Sequence, residues 1–219
     1  MSETLNRVLV ALGLVAVLGF AALMQYVGLP GVYLLSMLII VGMMIEFLRC
    51  LWLAPRDVMF SAKNLIIFAL FLGLLCVDFY TLQTLGHRSR LLLMLFVVIS
   101  TADICAWFFG RMIGGDKLWE RISEHKTWAG QIFGVIGGTI MAVICERLMS
   151  GAFDIKMFWV GMGISLLSQY GDFTASFVKR KLKIKDFSRL LGGHGGIIDR
   201  FDGWVYVLPV MWLMFAMSK

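Results

Sequence analysis

The chain has 219 residues, 60% of them hydrophobic and only 16% charged, with a mean hydropathy of +0.86. Soluble domains are nearer about half apolar and about a quarter charged, so a water-soluble globule and a disordered tail are both excluded. The net charge of +6 would suggest nucleic acid in a soluble protein, but in so apolar a chain lysine and arginine first report topology, and no nucleic-acid partner is called for.

A helix needs about 20 apolar residues to cross the hydrocarbon core. Seven segments meet or approach that length: 8–27, 31–48, 62–80, 91–110, 129–149, 157–178 and 204–217. Arg7 ahead of the first segment gives it the look of a secretory signal. The run is too long for one and no small-residue cleavage site follows, so it is expected to be retained. Gly28-Leu29-Pro30-Gly31 marks the turn into the second segment. The last segment is short. The predicted fold is all-α: a polytopic integral membrane protein of about seven transmembrane helices, one membrane-embedded unit over residues 1–219.

Orientation follows from lysine and arginine in alternate loops. The side of the N-terminus holds Arg7, then Arg49, Arg56 and Lys63, then Arg111, Lys117, Arg121 and Lys126, then seven basic residues between 179 and 200, fifteen in all against five on the other side. That excess places the N-terminus and the loops 111–128 and 179–203 in the cytoplasm. The four cysteines, Cys50, Cys76, Cys105 and Cys145, form no Cys-x-x-Cys pair and are read as small apolar side chains.

Gly130, Gly134 and Gly138 repeat every fourth residue along the fifth segment. Such a stripe lets helix backbones approach closely, within one monomer or in a homodimer, and carries no chemistry of its own. Acidic residues inside spans are another matter, since each costs about 2.5–3.5 kcal/mol on insertion scales and needs a partner or a task. Glu46 and Asp78 lie near segment ends, where water is within reach, and a structural role suits them as well as a chemical one. Asp103 and Asp172 lie about two turns inside the ends that feed the basic loops. Asp172, Ser176, Lys179 and Arg180 fall on one helix face, as do Asp103, Trp107, Gly110 and Arg111. Two such faces ending at one membrane surface favour a shared polar funnel there.

Beyond Lys185 and Asp186 the chain runs through Gly192-Gly193-His194-Gly195-Gly196 to Asp199, Arg200 and Asp202. Paired glycines let a backbone approach a phosphate, and a helix starting near Ile197 offers free N–H groups and a positive dipole end. Asp199 and Asp202, three apart, share a helix face; with Asp172 they make the hard-oxygen set that magnesium prefers when it also binds substrate phosphates. A Gly-rich stretch alone is a flexible loop, and an Asp-x-x-Asp step alone says little; the dense run of Lys179, Arg180, Lys181, Lys183 and Lys185 beside them gives them weight. For Lys181 and Lys183, attraction to anionic lipid headgroups is the preferred explanation. His194 suits a metal ligand, a general acid or a phosphate donor, and without a second nearby histidine a transition metal fits least. His87 and His125 carry no assignment.

From Ser176 the string Ser-Phe-Val-Lys-Arg, then Lys185-Asp186, Ser188, Leu191-Gly192 and His194-Gly195-Gly196-x-x-Asp199-Arg200-x-Asp202 resembles the signature of the phosphatidate cytidylyltransferases, or CDP-diacylglycerol synthases. Ala102-Asp103, Gly110-Arg111, Ile122-Ser123 and Lys126-Thr127-Trp128 resemble a second block of that family, so the resemblance covers about residues 100–203. The chain departs from the family's usual pattern at Gly192, where proline is common, at Gly203, often serine, and at Ala129-Gly130, usually Glu-Gly. None of these removes a charged group.

The resemblance implies a membrane nucleotidyltransferase of phospholipid biosynthesis. It would transfer CMP from CTP to phosphatidate, giving CDP-diacylglycerol and pyrophosphate, at the cytoplasmic face of a bacterial inner membrane. Residues 1–90 are then N-terminal spans and 91–219 the catalytic part, with the lipid tails entering sideways among membrane lipids. The cofactor is Mg2+, alone or with a second cation, on Asp172, Asp199 and Asp202, with Asp103 a further acid of the polar site. Ser123, Lys126, Lys179, Arg180, Lys185, His194 and Arg200 hold phosphate groups, with Ser176 and the Gly195-Gly196 backbone beside them. Two rivals stay open: a CTP-dependent polyprenol or phytol kinase, which needs a general base, and an ion-coupled transporter, whose polar groups would lie nearer the midplane.

Overall fold

The computed structural model describes residues 3–59, 61–85, 88–119, 123–151, 154–191 and 195–217. Within them the chain runs α1 (Glu3–Tyr26), α2 (Gly31–Leu53), α3 (Arg56–Met59), α4 (Ala62–Leu85), α5 (Ser89–Ile113), β1 (Lys117–Trp119), β2 (Ser123–Thr127), α6 (Trp128–Ser150), α7 (Ile155–Lys181), α8 (Ile198–Phe201) and α9 (Trp204–Met217). Every segment expected to be helical is helical. Four stretches, Gly31–Leu53, Ala62–Thr84, Ser89–Ile113 and Trp128–Ser150, are long and apolar enough to cross a membrane, and the chain is an integral membrane protein.

The other three segments are not among these four. α1 has 24 residues, and the apolar stretch among its described side chains is Ala16–Tyr26. α9 has 14 residues, a length of about 21 Å against a core of about 30 Å. α7 has 27 residues, but Ser165, Ser168, Gln169 and Asp172 interrupt its apolar character. The antiparallel pair β1–β2, which joins Lys117 to Thr127 and Trp119 to Ser123, is a further difference, because its stretch was expected to be a loop.

Backbone packing groups the chain into two compact units, 1–89 with 177–219, and 90–176. In the first, α2 lies against α1, α4 and α8, and α4 lies against α9. Gly31 makes the α1–α2 turn tight, since a Cβ there would stand 2.5 Å from the Ala21 carbonyl oxygen. The core of this unit is aromatic: Phe47 meets Phe71 edge-on at 4.9 Å between ring centroids, and Phe71 stacks on Phe187 at 6.3 Å and 8°. Such pairs add about 0.5–1.5 kcal/mol beyond the area they bury.

In the second unit the glycine stripe does the packing that the sequence suggested for a monomer. A Cβ on Gly130 would lie 2.6 Å from the Ala106 carbonyl oxygen, one on Gly134 would lie 2.9 Å from the Ala106 methyl, and one on Gly138 would lie 3.0 Å from the Ala102 methyl. α5 and α6 therefore approach through backbone and small side chains. Thr127 caps α6, its hydroxyl accepting from Gly130 N at 3.1 Å. The cap fixes where the hairpin ends and the helix begins.

Candidate active site

In the unit formed by 1–89 and 177–219, the loop after α7 is organised by two carboxylates. α7 ends as Lys183 adopts φ 59°, with Ile184 N donating back to the Lys179 carbonyl at 3.0 Å. Lys183 Nζ reaches Asp57 Oδ2 at 3.0 Å across an exposed pair. The hydrogen bond from Lys183 holds the Asp57 carboxyl below its ordinary range.

Asp199, in α8, is the first organiser. Its Oδ1 stands 2.7 Å from Lys179 Nζ, the side chains being 4% and 15% exposed. Its Oδ2 accepts from Phe187 N and from Gly196 N, both at 2.9 Å. Burying an ion pair costs desolvation that is offset only when the remaining valences are filled, and the two amides fill them.

Glu46 of α2 is the second. It is 6% exposed and accepts from Ile197 N at 3.1 Å, from Ile198 N at 2.7 Å, and from the Ser188 hydroxyl. One turn on, Cys50 Sγ donates to the Phe187 carbonyl at 2.8 Å. One turn back, Gly42 leaves room for Ile197, whose Cδ1 would stand 2.6 Å from a Cβ there.

The paired glycines sit between these acids. Gly195, at φ +80°, would bring a Cβ within 2.8 Å of Asp199 Oδ2, and a Cβ on Gly196 would collide with the Glu46 carboxylate. The amides of 196–198, expected to be open to a phosphate, are therefore given to Asp199 and Glu46. The reason is proximity: without side chains at 195 and 196, two carboxylates reach the backbone itself.

In the unit formed by 90–176, β2 lays Lys126 onto α7. Lys126 Nζ lies 2.5 Å from Asp172 Oδ2 and 4.1 Å from the centre of the Phe173 ring. Trp119 of β1 meets the same ring edge-on at 5.9 Å. The Ser176 hydroxyl donates to Asp172 Oδ1 at 3.4 Å, the contact that the four-residue spacing implies. Asp172 keeps 37% of its side chain exposed, Lys126 24%, so this pair is open to solutes as the Lys179–Asp199 pair is not.

The sequence-predicted residues thus fall into several places. Lys126 and Ser176 each meet Asp172; Lys179, Gly195 and Gly196 each meet Asp199. Arg180, Lys185 and Arg200 are exposed, Asp103 is exposed on α5, Ser123 is half-buried at the start of β2, and Asp202 is buried. His194 lies outside the described residues, as does the side chain of His125. Among the described residues no group of three His, Cys, Asp or Glu side chains converges as a metal site. Asp172 is half-buried, with one oxygen 2.5 Å from Lys126 Nζ and the other only loosely held by Ser176. Asp199 is more fully engaged, with Oδ1 against the Lys179 ammonium and Oδ2 taking two amides.

Glu46 was not among the predicted site residues. The signal for it was present in α2, where Gly42, Glu46 and Cys50 follow at four-residue steps along one face of an otherwise apolar helix. Asp78, expected within reach of water, is 0% exposed, and neither carboxylate oxygen has a hydrogen-bond partner among the described residues.

Residues 2–218 match the family described as the Cytidylyltransferase family. A phosphatidate cytidylyltransferase of Staphylococcus aureus is 32% identical over 214 residues, 94% of this chain and 80% of that one. One of Staphylococcus epidermidis is 36% identical over 137 residues, 60% of this chain and 51% of that one. One of Rickettsia bellii is 29% identical over 192 residues, 84% of this chain and 80% of that one.

Proposed function

The chain belongs to the cytidylyltransferase family, and from that premise we propose that it transfers a cytidylyl group from CTP to phosphatidate, forming CDP-diacylglycerol and releasing pyrophosphate. The observation that carries this reading is the 2.7 Å Lys179–Asp199 pair inside the 176–202 string, where cations, acids and glycines stand at the spacing the family's signature requires.

An oxygen of the phosphatidate phosphate attacks the α-phosphorus of CTP; the bond from that phosphorus to the β-bridging oxygen breaks, and pyrophosphate leaves with the electron pair. The nucleophile needs no general base, since a phosphomonoester has its second pKa near about 6 and is already ionised. The difficulty is charge, because a dianion must approach a triphosphate. The cations proposed to hold phosphate oxygens and to stabilise the leaving group are Lys126 in the unit of 90–176 and, within the unit of 1–89 with 177–219, Arg180, Lys185 and Arg200. Lys126 is poised for this by Asp172 and by the Phe173 ring, which fix its ammonium in place. Lys179 is withdrawn and paired, and its part is to hold Asp199.

A magnesium ion, when bound, supplies further neutralisation of the phosphates. Asp172, whose Oδ1 is only loosely held by Ser176, is proposed as a residue that would hold it, and Asp202, buried in the other unit, as a separate candidate. The basic-residue excess supports a cytoplasmic location for the N-terminus and for the loops that carry these groups.

The test uses the purified protein with magnesium, phosphatidate, and CTP labelled on either the α or the γ phosphorus. The α label is expected in lipid and the γ label in pyrophosphate. The γ label appearing in an added polyprenol would replace this reading with a lipid kinase.

A further inference from the structure

We infer that Glu46, in α2 and well before the 176–202 string, is a positioning residue for the signature loop. The inference rests on the proposed cytidylyl transfer for what the loop does, and on geometry alone for what Glu46 does.

A carboxylate in an apolar membrane helix is costly unless it has a task. The partners of Glu46 identify that task, because each belongs to one stretch more than 140 residues away: the Ser188 hydroxyl, Ile197 N and Ile198 N. Ser188 in turn accepts from Leu190 N at 3.1 Å, so the hold extends along the loop. Gly196 lies against the carboxylate with no room for a Cβ, and Gly42 admits Ile197 beside it. Asp199 clamps the same stretch from its other side through Phe187 N and Gly196 N. Without Glu46, Ile197 N and Ile198 N would be donors lacking an acceptor at the start of α8, and the placement of Asp199, Arg200 and Asp202 would loosen. Glu46 thus acts on the phosphates through the loop and touches neither substrate.

Glutamine is the informative replacement. It keeps the size but puts an NH2 where one of two backbone N–H groups needs an acceptor, so a donor meets a donor. In Glu46→Gln, amide hydrogen exchange at Ile197 and Ile198 is expected to quicken by at least about tenfold while exchange in α4 stays unchanged. The rate of α-label transfer at saturating substrates is expected to fall at least about tenfold, with KM for CTP moving less, because a misplaced loop loses contacts made in the transition state. Ser36→Ala is the control: it removes a buried hydroxyl bonded to the Val32 carbonyl on the same helix and is expected to leave kcat and loop exchange alone.

Exchange at Ile197 and Ile198 at the wild-type rate in Glu46→Gln, or kcat within twofold of wild type, overturns the inference. Should Glu46→Gln fail to fold, Ser188→Ala decides: loss of one of three bonds is expected to lower kcat by about two- to tenfold, and no change would sink the idea. If the wild-type protein moves no label into lipid, the proposed reaction fails, while the exchange measurement still reports whether Glu46 holds the loop.

Discussion

Lys179 Nζ and Asp199 Oδ1 lie 2.7 Å apart, joining the last turn of α7 to α8 across 20 residues of chain. The pair is almost withdrawn from solvent and the carboxylate also accepts two backbone amides. A salt bridge so placed is a fastener for the loop between its partners, and it ties the dense basic run to the Asp-x-x-Asp step.

Breaking that fastener from either end should therefore cost stability as well as turnover. Asp199→Asn puts an NH2 against either the ammonium or the two amides, and Lys179→Met leaves a buried carboxylate without its cation. Each is expected to destabilise by about 3–5 kcal/mol, read as a lowered thermal midpoint in detergent. The double variant should lose less than the two combined, because the second change removes a group already stranded. Additive losses would mean that the two side chains act independently.

Asp172 is expected to behave differently, since its carboxylate is open. In Asp172→Asn the thermal midpoint should stay near wild type while the magnesium concentration for half-maximal α-label transfer rises at least about tenfold. Lys126→Ala should raise the half-saturating CTP concentration instead. Unchanged magnesium dependence in Asp172→Asn would remove that residue from the metal site.

Orientation can be read directly. With Cys50, Cys76, Cys105 and Cys145 replaced, single cysteines at 117 and 183 are expected to react with a membrane-impermeant maleimide only when the cytoplasmic face is exposed. Reaction at either position in sealed right-side-out vesicles would reverse the assignment from the basic-residue excess.

The exposed Lys183–Asp57 pair gives a small pH effect with a defined sign. Because Lys183 holds the Asp57 carboxyl below its ordinary range, the contact stabilises the fold above that range and its contribution is lost as pH falls through the depressed value. Asp57→Asn should thus melt slightly below wild type at pH 7 and level with it in acid. Added salt should narrow the gap at neutral pH, since both side chains are about two-thirds exposed. A gap that widens in acid would reverse the sign.

Helices were legible in the sequence because apolar length is a local property; the segment 157–178 is counted with the others, and Ser165, Ser168, Gln169 and Asp172 are what set α7 below them in apolarity. The Asp172–Ser176 contact followed from four-residue spacing, and the glycine stripe of α6 from its repeat. The hairpin was missed because Lys117–Trp119 and Ser123–Thr127 are short, and their pairing depends on Trp119 and Lys126 reaching Phe173 on a later helix. What stands beside the Gly195-Gly196 step is hidden in the sequence for a related reason. Spacing shows that a backbone can be approached closely but not by what, and the approaching groups are Asp199, three residues on, and Glu46, some 150 residues earlier.

α2 is apolar on almost every side, so a bilayer gives it no preferred azimuth: lipid receives Leu38, Ile45 or Trp52 equally well whichever way the helix is turned. Rotational register comes from packing instead: Phe47 against Phe71 on α4, and Gly42, Glu46 and Cys50 against Ile197, Ile198 and Phe187. A slip of one residue turns the helix by about 100° and swings these contacts away together. The loop from Phe187 to Ile198 thereby shares with α1 and α4 the setting of that helix's angle.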